Sequence, residues 1–268
     1  MPELPECKLM AERLNKFLGG SRVSISIMGK TYPSNTKSKW ATLRKKLKLL
    51  PKKLYLRQVT SHGKLIIFEF DDFYLVNWLG MTGHWRPQPG PHTHMKVVGD
   101  VTLYFDDFRH FGGFDVFDES QLVAKLRRMG PDAWAVKWPI FRERLARGNG
   151  VVGVDLMNQK LIAGLGNYLR ADILYKARIN PKTKTKSLSE AQLRALYKAM
   201  KSILKKSYAE HGTTIKTYKA LSERGDLIPG RYKPLVYGRD FDSLGNPVKS
   251  YDLAGRTMWW CPAVQGKS

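Results

Sequence analysis

A change of rhythm near residue 121 constrains this chain more than any other feature. Before it, between about residues 21 and 120, apolar residues come in short strand-like runs: "SRVSISIMG", "KLYLRQVT", "KLIIFEF", "YLVNWLGM", "HMKVVGDVTLYFD" and "GGFDVFD". Turn formers such as Gly63, Asp71-Asp72 and Gly99-Asp100 separate them. From about residue 122 the spacing becomes helical. In "SEAQLRALYKAMKSILKKSY", Leu193, Leu196, Met200, Ile203 and Leu204 share one face, with Ser189 placed to cap the start. Ahead of the strands, Cys7, Met10, Leu14 and Phe17 recur at three- and four-residue steps, which predicts a helix over 3–18 ended by Gly19-Gly20. The expected class is α+β, with a β-sandwich carrying one N-terminal helix and then a helical region. The last forty residues are irregular, with "LVYGRD" and "GRTMWWC" as candidate strands. Boundaries are expected at 1–121, a linker at 122–134 around "MGPDAWAVKW", then 135–225 and 226–268. No internal repeat interrupts this order.

Charge narrows the partner. Forty-six Lys and Arg stand against twenty-three Asp and Glu, a formal net charge of +23. Such an excess calls for a polyanion, because neutralising phosphates releases condensed counterions. The basic residues are interleaved with Leu, Trp and Tyr in "KSKWATLRKKLKLLPKKLYLR", "KAMKSILKK" and "KTKTK", as on folded basic faces. Nucleic acid fits best; an anionic membrane surface fits less well. No run approaches the roughly 18 apolar residues that span a bilayer, and no export signal is evident. The expected setting is intracellular, nuclear or another DNA-containing compartment. Two cysteines, Cys7 and Cys261, make neither a disulfide framework nor a zinc site.

The opening "MPELPE" points to chemistry. If Met1 is trimmed, Pro2 presents a free secondary amine. An α-amino group titrates at about 7.7–8.0, far below a lysine side chain. It is a ready nucleophile for a sugar carbon, with Glu3 beside it to move protons. The competing reading is that Pro2 and Pro5 only start a helix.

Four stretches in this order, "MPELPE", "GMTGHW" with "DDFRHFGGFD", "LMNQKLIAGLGNYLRADILY", and "YGR…GRTMWWCP", resemble the formamidopyrimidine-DNA glycosylase / endonuclease VIII family of base-excision repair enzymes. The resemblance spans nearly the whole chain. It implies an N-terminal catalytic sandwich, a helix–two-turn–helix DNA-binding domain and a C-terminal finger. It implies that Pro2 attacks C1′ of a damaged nucleotide and the base leaves. Glu3 then assists ring opening, and the iminium permits β- and δ-elimination without metal or cofactor. Lys64 matches a lysine that assists elimination, and Glu6 joins the active-site residues. Met81, Arg109 and Phe111 match a wedge that fills the gap left by the flipped base. His92, Lys160 and Asn167 match DNA-contacting positions. Gly164 and Gly166 let a phosphate approach the backbone. Arg256 matches the finger arginine that grips the lesion phosphate.

Departures from the pattern are local. The zinc-ligand positions are Phe241, Leu244, Cys261 and Val264, so one thiol remains of four and no tetrahedral site can form. That resembles the zincless-finger branch, where packing by Phe241, Leu244, Trp259 and Trp260 is expected to replace the metal. Trp78 stands where many relatives have histidine, and Gly153 where many have lysine. The resemblance therefore implies a monomeric bifunctional glycosylase/AP lyase acting on duplex DNA with oxidised bases or abasic sites. Two alternatives are a non-catalytic binder of abasic or damaged DNA, and a basic RNA-binding or ribosome-associated protein suggested by charge alone.

Overall fold

The computed structural model describes residues 2–28, 34–214 and 219–266, and for residues 34–39 the backbone only. Met1, whose trimming matters above, lies outside the described residues. The chain divides into two compact units. One comprises residues up to 125 together with 211–231; the other comprises 126–210 and everything from 232 onward. Residues 211–231 therefore belong with the N-terminal region, and not with the helical and finger segments to which the sequence division assigns them.

The first unit opens with α1 (Leu4–Leu18) and β1 (Ser21–Ile27), followed by α2 (Ser34–Lys48). Seven strands follow: β2 (Leu54–His62), β3 (Leu65–Phe70), β4 (Tyr74–Trp78), β5 (His84–Arg86), β6 (Thr93–Val98), β7 (Thr102–Asp106) and β8 (Gly113–Phe117). All pairings are antiparallel, in the order β5-β7-β6-β1-β2-β3-β4-β8. Strand β1 serves two ladders. Ser21–Val23 pairs with β2, and Ser24–Ile27 pairs with β6. Side chains from the two ladders meet face to face. Phe68 and Phe114 from one surround Trp85 and Phe105 from the other, with ring centroids 4.9–5.9 Å apart. That aromatic layer is the core of a sandwich. Helix α1 buries Leu4, Cys7, Met10, Leu14 and Leu18.

Helix α2 is a difference from the sequence reading, which treats residues 21–120 as strands. Its composition is Lys-rich and, among its described side chains, the buried ones are only Trp40 and Leu43, too sparse to mark a helical face.

The second unit is helical. Helix α3 (Glu119–Arg127) straddles the boundary, and α4 (Trp138–Ala146), α5 (Val152–Asp155), α6 (Asn167–Lys176) and α7 (Glu190–Ala209) follow. Ser189 and Gln192 cap α7 reciprocally. The expected linker is not loose. Gly130 and Ala133 donate backbone hydrogen bonds to Gln159 and Ala163, and Lys201 Nζ donates to the carbonyls of Ala133 and Trp134. Burial pushes the Lys201 ammonium below its ordinary value. The short hairpin β9 (Lys219–Leu221) and β10 (Leu227–Pro229) belongs to the first unit; β11 (Lys249–Asp252), β12 (Thr257–Trp260) and α8 (Pro262–Gln265) close the second. The run "LVYGRD" forms no strand.

Candidate functional site

Pro2 and Glu3 are buried ahead of α1, and the carboxylate that holds them is Glu6. Its Oε2 accepts from the Glu3 amide at 2.9 Å, and its Oε1 accepts from the Thr213 amide at 2.9 Å. A fully buried carboxylate needs such donors to offset its lost hydration. Glu6 thereby ties the N-terminal segment to the returning stretch 211–231. Arg13 adds a more exposed tie, its Nη1 lying 3.0 Å from Glu223 Oε1.

Lys64 lies in the two-residue turn between β2 and β3. Gly63 supplies the positive φ of 57° that such a hairpin needs first. The Cys7 thiol donates to the Lys64 carbonyl across 3.5 Å, so the turn is fastened to α1. Leu65 pairs with Trp78, and Trp78 pairs with Gly113. The Lys64 turn, the Met81 loop and the Phe111 loop therefore emerge at one end of three adjacent strands.

The two loops are fitted to each other by backbone. Gly80, at φ 63°, has no room for a side chain: a Cβ would come within 2.5 Å of the Gly112 amide nitrogen. The fully buried Asp107 then knots them. Its Oδ1 accepts from the Thr82 hydroxyl and its Oδ2 from the Gly112 amide at 2.6 Å, while Thr82 Oγ1 accepts from the Arg109 amide at 3.0 Å. Trp78 Nε1 donates to the Phe111 carbonyl at 3.2 Å, so this departure from the family pattern supports the loop. The Arg109 guanidinium lies 5.0 Å from the Phe111 ring centroid, and Phe111 is 47% exposed. His92 stands in the same cluster, 5.8 Å ring to ring from His110. His110 Nδ1 in turn lies 3.0 Å from Nε2 of buried His94, whose burial pulls its imidazole below the ordinary value. Thr82 and Asp107 escaped the sequence reading, although Asp107 sits inside the quoted "DDFRHFGGFD".

In the second unit, Gly164 (φ 107°) and Gly166 lead into α6, whose first residue is Asn167. Asn167 Nδ2 donates to the Thr257 carbonyl at 3.0 Å. Arg256 occupies the exposed tip of the β11–β12 hairpin, and the buried Arg170 reaches its carbonyl at 3.5 Å and that of Gly153 at 2.9 Å. Asn167 and Arg256 are thus brought together. Lys160 is exposed on the preceding turn, held by Gln159, whose amide spans Met157, Gly164 and Leu165. At Gly153 a Cβ would meet the Pro181 carbonyl at 2.9 Å, so this position has no room for a lysine.

The finger is organised otherwise than expected. Phe241 and Leu244 are 57% and 76% exposed, so they do not form its core. Tyr232, Val236, Met258, Trp260 and Cys261 are its buried apolar members, and Trp259 is half-buried. At the centre lies Asp242, which accepts from Tyr175 Oη, the amides of Leu244 and Asn246, and Asn246 Nδ2, all at 2.8–3.0 Å. The Cys261 thiol lies 3.6 Å away. An anion gathering donors stands where a cation gathering thiolates would be expected, and these side chains do not fit zinc. Among the described residues, no group of three metal-binding side chains is poised for an ion. Burial raises the Cys261 thiol and takes the Tyr175 phenol to about 12.

Residues 1–114 match the formamidopyrimidine-DNA glycosylase N-terminal domain, and 129–219 match its H2TH domain. The formamidopyrimidine-DNA glycosylases of Lactococcus lactis subsp. cremoris and Thermus thermophilus are 30% and 31% identical, covering all of this chain and 99–100% of each relative. The chain belongs to the formamidopyrimidine-DNA glycosylase family. Solved structures of the family superpose over nearly its whole length. The Lactococcus lactis enzyme with abasic-site DNA gives a TM-score of 0.82 at 27% identity, and a mutant of that enzyme with Fapy-dG-containing DNA gives 0.83 at 29%. The Thermus thermophilus protein gives 0.82 at 29%.

Proposed function

We propose that this chain is a bifunctional DNA glycosylase/AP lyase of base-excision repair, acting on duplex DNA that carries oxidised bases or abasic sites. The observation that carries the reading is the Glu6 clamp, which fixes the Pro2–Glu3 segment at the start of α1 while Cys7 fastens the Lys64 turn to the same helix.

In this reading the uncharged Pro2 nitrogen attacks C1′, the C1′–N bond breaks and its electrons leave with the base. Glu3 carries the proton that opens the deoxyribose ring. The resulting iminium is the electron sink that acidifies the 2′ hydrogen, so the 3′ and then the 5′ phosphate can be eliminated. Lys64 supplies a cation near the departing phosphate. Met81, Arg109 and Phe111 occupy the space vacated by the flipped nucleotide, which offsets a few kcal/mol of unstacking. Lys160, Asn167, His92 and Arg256 contact phosphates.

Borohydride reduction of the enzyme on abasic-site duplex should yield a covalent protein–DNA adduct, whereas Glu3→Gln should lower turnover sharply. Lack of an adduct with protein whose mature N-terminus is Pro2 would sink the lyase mechanism and favour a non-catalytic damage binder.

A further inference from the structure

The run from residue 13 to residue 68 holds fourteen Lys and Arg and no Asp or Glu. Of these, the reading above employs only Lys64. Much of the remainder lies on α2 and the segment after it. The helix is fixed from its inner side. Trp40 and Leu43 are 1% and 3% exposed, and Trp40 stacks on His94 with ring centroids 4.9 Å apart. Lys46 Nζ reaches Asp115 Oδ1 at 2.7 Å and the Val116 carbonyl at 3.3 Å, which pins α2 to β8. With Trp40 and Leu43 turned inward and Lys46 paired at the surface, Lys45, Lys48, Lys52 and Lys53 are all exposed. Among the described residues none of the four has a carboxylate partner. Lys48 and Arg44 also border a recess of about 210 Å³ beside Ile25, Ser26 and Ile27 of β1.

A helix C-terminus accommodates cations through its dipole, but that effect fades beyond the last turn. Lys52 and Lys53 lie past it. Clustered like charges repel one another unless an anion is present.

We propose that α2 and residues 49–53 form a second DNA-contacting ridge, which takes backbone phosphates of the duplex outside the damaged nucleotide. The inference rests on the DNA reading above. Its link to that reading is physical: His94, which carries the Trp40 ring, also meets His110, the neighbour of Arg109. The ridge is thus continuous with the loop that bears the wedge. From Trp40 to Lys48 the helix rises about 12 Å, a few phosphate spacings along one strand. A lipid surface would ask for an apolar face, and Leu49 (87% exposed) is the one large, strongly exposed apolar side chain between residues 44 and 53.

The test is fluorescence anisotropy of an undamaged duplex of roughly two helical turns, titrated with wild type and with K45Q/K48Q/K52Q/K53Q across a range of salt. Each lost phosphate contact flattens log K against log salt by about 0.9. The variant is expected to lose about 2–4 from the slope and to bind at least about tenfold more weakly near physiological salt. Its melting temperature and its single-turnover cutting of saturated abasic duplex are expected to match wild type, and the four-arginine counterpart is expected to keep the slope. An unchanged slope in the glutamine variant overturns the ridge. So does a loss seen with structured RNA or anionic vesicles but not with duplex DNA. Wild type that shows no salt-dependent duplex binding at all would remove the DNA reading together with the ridge.

Discussion

Four buried carboxylates do much of the local work in this protein: Glu6, Asp107, Asp172 and Asp242. Each gathers several hydrogen-bond donors, at least one of them a backbone amide, into one buried knot. Asp172 accepts from Tyr232 Oη and the amides of Leu235, Val236 and Tyr237, although burial still raises its pKa. Substituting one with its amide leaves a buried N–H facing an NH₂ group, at a cost of about 1–3 kcal/mol. Glu6→Gln is therefore expected to lower stability by about that amount in urea and to slow borohydride trapping at least about tenfold. Binding of undamaged duplex should be unaffected. Trapping at the wild-type rate would show that the clamp has no bearing on the amine. Asp107→Asn should act on a different step. Base extrusion, followed by 2-aminopurine fluorescence in duplex DNA, should weaken, because Thr82 or Gly112 loses its partner. Trapping on a single-stranded abasic oligonucleotide, where little must be unstacked, should stay near wild type. An equal loss on both substrates would point to general disruption.

At the scale of elements, the finger gives the sharpest expectation. Burial pushes the Asp242 carboxyl upward, but donors from Asn246, Leu244 and Tyr175 outweigh it and bring it down to about 2. An unfolded aspartate titrates near 3.9. Its contribution is therefore present above about pH 4 and is lost as the pH falls through about 2, because the unfolded chain takes up the proton first. Amide hydrogen exchange at Leu244 and Asn246 should report finger opening over that window, and Asp242→Asn should remove the pH dependence. Chelators should alter neither melting temperature nor trapping rate, since the thiol set of a zinc site is missing. How legible these elements were follows from their physics. Helices α1 and α7 carry periodic apolar faces, and strands β3 and β4 are short apolar runs bounded by turn formers, so the sequence displays them. Lys64, Met81, Arg109 and Phe111 were legible as motif members, and three of their loops do meet at one sheet end. Helix α2 was hidden because, among its described side chains, only two apolar ones, Trp40 and Leu43, are buried. The Asp242 knot was hidden because it joins two backbone amides and Asn246 Nδ2 of its own turn to a tyrosine 67 residues away, a set with no periodic mark in the sequence. Phe241 and Leu244 suggested a core by residue type, yet the hairpin leaves them in solvent.

Over the whole molecule, the charge of +23 sets how substrate is captured, and not how fast bonds break. KM for damaged duplex should rise steeply with salt, while the single-turnover rate at saturation stays nearly flat. A parallel fall of both would mean that salt perturbs the site itself. The path of the chain carries a different consequence. Residues 211–231 rejoin the first unit after the chain has built most of the second, and Thr213 supplies one of the two amides on Glu6. A ribosome that has finished the sandwich has therefore not yet delivered the Thr213 amide that braces Glu6. Under the mechanism proposed above, truncated or stalled products would carry the Pro2 amine without the Thr213 brace on Glu6.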